Sequence, residues 1–273
     1  MLRTQLTALE PSAWEIDSPT PAAAVAEVEV IASEPRVPYA LVRKLSVDEV
    51  LTRADDAANR LRIICLPAGN VAPELAERAF DWSHAERPDR GWLVEANMRT
   101  TRAIASNTRA AIFGAAEQMP DAVDAILRFV VVARAISSLE TAARNSLAAM
   151  QNDVRLLHAV TWRDQRQQSH VDAMTRWAAQ MKIGHFRLLR ALQQNDAAIT
   201  SSKRLFSELA SQAGLADRLA ALEDEIQAAL DFYEVAATRL IEDRAAKTGF
   251  ALEIAILIVL AAELAVMLTR PLL

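Results

Sequence analysis

Two glutamates interrupt the most apolar stretch of the chain, which reads TGFALEIAILIVLAAELAVMLT from Thr248 to Thr269. Glu253 and Glu263 lie on either side of its middle, and their spacing places them on one broad side of a helix. Ionised carboxylates are costly in hydrocarbon, so acids in such a stretch are commonly protonated or paired. They indicate either a helix–helix contact or polar lining between protomers, or side chains that snorkel or stay protonated without a role.

As a helix, this stretch spans about 33 Å, enough to cross a hydrocarbon core of about 30 Å. The alternative is a buried core helix, but no other segment is apolar enough to surround it. The basic flanking residues are Arg244 and Lys247 before the stretch and Arg270 after it. Since basic residues favour the cytoplasmic side, we predict a single-pass, tail-anchored protein of a bacterial-type inner membrane, with the N-terminal side in the cytoplasm.

The remaining reactive residues form no catalytic or metal-binding motif. The chain has one cysteine, four histidines and six glycines, and it contains no phosphate-binding glycine loop, HExxH or GxSxG. His158, His170 and His185 lack the glutamate three positions earlier that a di-iron bundle uses, and His185 on an apolar face is typical of a core residue. We therefore predict no enzyme activity, catalytic residue, cofactor or metal site. A net charge of −5 also argues against nucleic-acid binding through a basic surface.

Ahead of the apolar stretch, apolar residues recur at alternating four- and three-residue steps, the pattern of a coiled-coil seam. The larger seam residues are Leu215, Leu219, Leu222, Ile226, Tyr233 and Leu240, and Ala229 and Ala237 occupy the two positions between the last three. The chain has no glycine between Gly214 and Gly249, so we expect one stalk helix that continues into the membrane. The seam fits either a homo-oligomer or packing against other helices of the same chain.

These patterns predict a mainly α fold, an antiparallel helical bundle whose long C-terminal stalk helix continues into one transmembrane helix. Near the N-terminus a small α+β part is possible. The predicted organisation is a flexible proline- and alanine-rich tail over 1–40, a small domain that is α+β or helical over 41–94, the bundle with its stalk over 95–247, and the transmembrane helix over 248–269.

Local signals place several elements in the first half of the chain. Ser46, with Glu49 three positions later, is a capping-box signal for a helix that ends near Arg60. The apolar run 61–66 predicts a buried strand, and a helix follows over 74–82. We also expect a helix over the alanine-rich segment 95–119, and at most a short strand at 26–32 in the tail.

The stalk and apolar stretch carry a finer pattern: Leu252-Glu253, an isoleucine-rich run, then Glu263-Leu264 after a long heptad helix. Over Leu215 to Met267 this resembles the C-terminal end of the required-for-meiotic-nuclear-division and Sad1-interacting factor family. The resemblance implies a membrane-anchored tether or assembly factor, linked to translation in mitochondria, with no established enzyme activity.

The sequence thus favours a membrane-anchored scaffold, tether or assembly factor that acts through protein contacts, with unidentified protein partners. One alternative is an accessory subunit of a membrane sensor or transport complex that uses Glu253 and Glu263. Another is a soluble enzyme domain that is merely anchored.

Overall fold

The computed structural model describes residues 12–17, 41–52, 60–69, 71–85, 92–98, 100–157, 167–193 and 200–269. The strands are β1 Ser12–Asp17, β2 Leu41–Leu45, β3 Arg60–Pro67, β4 Leu93–Met98, β5 Thr101–Ser106 and β6 Arg109–Gly114. The α-helices are α1 Val47–Thr52, α2 Pro73–His84, α3 Met119–Asp153, α4 Gln168–Gln193, α5 Thr200–Gln212 and α6 Leu215–Thr269. Short 3-10 turns at Ala116–Gln118 and Val154–Leu157 flank α3. The described part of the chain is therefore mainly α, with one sheet.

The six strands form a single mixed sheet in the order β2-β1-β3-β6-β5-β4. Only β3 and β6 pair in parallel, with Ile64 opposite Ala111, whereas the other neighbours are antiparallel. A buried ion pair joins β1 to β3, since Arg62 Nε donates to Glu15 Oε2 at 3.0 Å. One face packs against α1 and α2 through Ala13, Leu45, Val50, Ile64, Leu66, Ala79 and Trp82.

The described residues divide into two compact units. The first contains the sheet, α1, α2 and α5, together with α3 as far as Ala142, α4 from Ile183 and α6 as far as Glu223. The second contains the rest of α3, α4 and α6. Within the second unit, α4 runs antiparallel to α6. Lys182 of α4 donates from Nζ to Gln227 of α6 at 2.6 Å. His170, which precedes Lys182 in α4, contacts the same Asp153 carboxylate as Tyr233, which follows Gln227 in α6.

Several local predictions are confirmed. The Glu49 backbone N–H donates to Ser46 Oγ at 3.1 Å, which is the cap that begins α1. The buried strand predicted at 61–66 is β3, and the helix predicted at 74–82 is α2. The predicted helix after Ser46 is described only to Thr52, and Arg60, near its predicted end, begins β3 instead. Residues 53–59 and the strand proposed at 26–32 lie outside the described residues.

The helix predicted over 95–119 is wrong, because this segment forms most of β4 and all of β5 and β6. The predicted domain boundary between residues 94 and 95 consequently falls inside β4. Alanine has the highest intrinsic helix propensity, but tertiary packing overrides propensity. Ala103, Ala105, Ala110 and Ala111 are fully buried, so β5 and β6 lack the polar alternation of a strand that faces water on one side.

The flexible tail predicted over 1–40 is also wrong for 12–17, which form β1. This strand lies inside the sheet, between β2 and β3. Its two partner strands come from later parts of the chain. Pro11 and Pro19 lie close to its ends, so the residues next to it are typical of a loop and not of a strand. The α+β alternative for the N-terminal part describes the sheet better than the helical one, but the sheet also includes strands before and after 41–94.

The single cysteine provides a test of this sheet. Cys65 is buried on β3, and burial raises the pKa of its thiol to about 12. Because the thiolate is the reactive form, we expect iodoacetamide at pH 8 to leave the folded protein unmodified and to alkylate it fully in denaturant. Mass spectrometry measures both states. Alkylation of the folded protein at the rate of the denatured one would contradict the position of β3.

Candidate functional site

The last part of α6 exposes an unusual amount of apolar surface. Every side chain described from Arg244 to Val266 is exposed, with Phe250 at 65%, Leu257 at 66% and Ile258 at 64%. This helix is long and apolar enough to be a candidate membrane span, and none of its most apolar window is buried. The alternative of a buried core helix is therefore not what the structure has. Such a surface is unfavourable in water and favourable in lipid.

Glu253 and Glu263 are exposed on this apolar helix. Among the described residues, neither side chain has a hydrogen bond or an ion pair. They lie about 15 Å apart along the axis. The basic flank is also on the surface: Arg244 is exposed, and Lys247 Nζ contacts Asp243 Oδ2 one turn earlier. Arg270 lies outside the described residues.

The residues of the predicted coiled-coil seam are buried within the chain. Leu215, Leu219 and Leu222 are buried in the first unit, and Ile226, Tyr233 and Leu240 in the second. Tyr233 and Leu240 belong to an apolar cluster with Leu156 and Val171. This burial corresponds to the alternative in which the stripe packs against the chain's own helices. These side chains therefore do not form an exposed apolar stripe on the described part of the chain.

A hydrogen-bonded cluster, which the sequence did not indicate, lies in the second unit, with two buried members, Asp153 and Tyr233, and one exposed member, His170. Asp153, at the end of α3, accepts from Tyr233 Oη of α6 at 3.1 Å, and its Oδ2 also lies 2.8 Å from His170 Nε2 of α4. Tyr233 is fully buried and Asp153 is 8% exposed. Burial, and then the nearby Asp153 carboxylate, raise the pKa of the Tyr233 hydroxyl, so this group remains a proton donor.

We interpret this Asp153–His170–Tyr233 cluster as a structural contact that holds α3, α4 and α6 together. A carboxylate that accepts from two side chains is well satisfied in an apolar surrounding, which is what burial of a charge requires. No group of three or more metal-binding side chains occurs in the part of the chain that the structure describes. No sequence signal could have brought together residues from three separate helices.

The histidine predicted on an apolar face, His185, is a core residue, as predicted. His185 is 2% exposed, and its Nε2 lies 2.9 Å from the Leu219 carbonyl oxygen. His158 lies outside the described residues.

Two shallow grooves flank α2 over the sheet. One, of about 450 Å³, is lined by Phe80, Arg102 and Phe113 among others, and the second, of about 370 Å³, by Trp82 and Arg109 among others. An arginine of each groove is held by a partner: Arg102 Nε donates to Glu95 Oε1 at 2.8 Å, and this bond lowers the pKa of Glu95. Arg109 donates to the Trp82 carbonyl oxygen at 2.7 Å. Neither groove presents a concentrated charge for an ionic ligand.

No protein-family model matches this chain, and no curated protein is significantly similar to it.

Proposed function

We propose that this chain is a membrane-anchored helical scaffold, tether or assembly factor that acts through contacts with other proteins. The supporting observation is the exposed apolar segment of α6 up to Val266, which continues without a break from a segment whose apolar stripe is buried. A helix of this kind is long enough to anchor a folded body to a bilayer. The remainder of the chain is then a sheet and a helical bundle attached to the membrane through α6.

The proposed topology follows the charge flanking the span. Arg244 and Lys247 precede it, and basic residues near a span favour the cytoplasmic side. The sheet and bundle then lie in the cytoplasm, on an inner membrane of bacterial type. The resemblance to the required-for-meiotic-nuclear-division and Sad1-interacting factor family supports an anchored, non-catalytic role of this kind.

Protease protection tests both the anchor and its orientation. With the chain expressed in bacteria and tagged at its N-terminus, we expect protease to remove the tag in inside-out membrane vesicles and to leave it intact in right-side-out vesicles. The opposite pattern would overturn the orientation. A chain missing from both preparations and present in the soluble fraction would overturn the anchor.

A second candidate function is an accessory subunit of a membrane sensor or transport complex. It is favoured by the two exposed carboxyls within the apolar helix. A tether should keep its cellular role when only the apolar segment Thr248–Thr269 is replaced by an unrelated spanning helix of equal length, which leaves the buried part of α6 unchanged. A sensor or transport subunit should instead lose its role when both glutamates are replaced by glutamine.

A further inference from the structure

The side of α6 that carries the two membrane glutamates faces away from the chain's own helices. Successive residues advance about 100° around a helix, so Glu253 lies about 200° and Glu263 about 120° from Tyr233. Tyr233 marks the middle of the side that is buried in the second unit, together with Ile226, Ala229, Ala236 and Leu240. The carboxyls thus continue the exposed side of the stalk.

The same exposed side carries acids before the membrane. Asp231 follows Asp224 by seven residues, and Glu242 and Glu253 each follow the preceding acid by eleven. These separations are close to two and three whole turns of a helix. All four are exposed, and Asp231 accepts a hydrogen bond from Gln227. With Glu263 they form one acidic row, defined as Asp224, Asp231, Glu242, Glu253 and Glu263.

Basic residues of this part of α6 lie elsewhere on its circumference. Arg244 and Lys247 are about 150° from the middle of the acidic row, and Arg239 is about 70° from it. The row is therefore a surface of one sign that runs from water into the apolar segment. At its membrane end, a carboxyl in hydrocarbon is either protonated or paired, and a cation on a neighbouring spanning helix would supply the pairing.

We propose that the acidic row is the docking surface for another membrane protein, whose spanning helix presents Lys or Arg at two levels about 15 Å apart. This inference rests on the proposed membrane anchor. Charge complementarity selects the partner: a second copy aligned in parallel would oppose each acid with the same acid, which is unfavourable in water and more so in lipid. The stretch from Thr248 to Thr269 contains no lysine or arginine, and we therefore place the cation on another spanning helix.

A defined probe tests this partner chemistry. The full chain, with a fluorophore at its carboxyl end, is reconstituted in phosphatidylcholine vesicles with a labelled leucine-rich spanning peptide that carries two lysines ten residues apart. We expect energy transfer to this peptide, and about tenfold weaker association with peptides that carry leucine or glutamate at both positions. The Glu253→Gln/Glu263→Gln variant should lose this preference. The matched control, Ile254→Gln/Ala262→Gln, adds polarity at similar depths outside the row and should retain it.

Flotation of the vesicles before the measurement separates the two proposals. A chain that does not float with the vesicles would refute the membrane anchor. A chain that floats but associates equally with all three peptides would refute the basic partner alone. Association of labelled chains with each other that the lysine peptide does not reduce would show that the row binds a second copy, and would also overturn the inference.

Discussion

Replacing Ile258 and Val259 by arginine is expected to move the protein from the membrane pellet to the supernatant. Both residues are exposed and lie near the middle of the apolar segment of α6. Each arginine at the centre of a span costs about 2.5 to 3.5 kcal/mol on insertion scales, so the pair costs about 6 kcal/mol. This change corresponds to more than a thousandfold in the insertion equilibrium. Ultracentrifugation of lysed cells after a carbonate wash measures it.

Two controls show whether the change in location results from the loss of membrane insertion. Ile258→Leu/Val259→Leu keeps the segment apolar and should leave the protein in the pellet. Ala228→Arg/Thr238→Arg adds the same charge at exposed positions of the stalk, outside the apolar segment, and should also leave it there. If the unsubstituted protein remained monodisperse in the supernatant without detergent, α6 would not be a membrane anchor and the proposed function would fail.

Replacing Asp153 by alanine is expected to lower the free energy of unfolding by about 3 kcal/mol. The substitution leaves the buried Tyr233 hydroxyl without its acceptor and removes the partner of His170. A buried donor left unpaired costs about 1 to 3 kcal/mol, and a hydrogen bond to a charged group contributes about 1.5 to 3 kcal/mol. Thermal melting in detergent, followed by circular dichroism, should show a midpoint lower by about 6 °C or more.

The adjacent exposed residue provides the control for this cluster. Glu234→Ala should change stability by less than about 0.5 kcal/mol, because Glu234 is exposed. Tyr233→Phe removes only the hydroxyl and should cost about 1 kcal/mol. Equal melting temperatures for Asp153→Ala and the unsubstituted protein would show that the cluster does not hold the three helices together.

The loss of stability at alkaline pH also depends on the Tyr233 hydroxyl. Its raised pKa means that the folded state retains a proton that the unfolded state loses above about pH 10. The contribution of this group is therefore fully present below pH 10 and is lost as the pH rises further. Tyr233→Phe should reduce the steepness of that loss.

The features of this chain that are local in sequence could be predicted from it. The long helix, its apolar end and the cap at Ser46 depend on residues only a few positions apart, and the structure has all three. The sheet was largely missed for the opposite reason. β1 lies between strands that follow it in the chain, and the alanines of β5 and β6 favour a helix until both faces of the sheet are covered.

The same distinction applies to the functional surfaces. Composition alone identified Glu253 and Glu263 as acids in an apolar helix, and the heptad steps identified the stripe at Leu215 to Leu240. Neither pattern could say which molecule covers that stripe, because a heptad has the same spacing within a chain and between chains. Folding buries the stripe internally and leaves Asp224, Asp231 and Glu242 on the exposed side of α6. The cluster of Asp153, His170 and Tyr233 likewise exists only because three helices, distant in sequence, pack together.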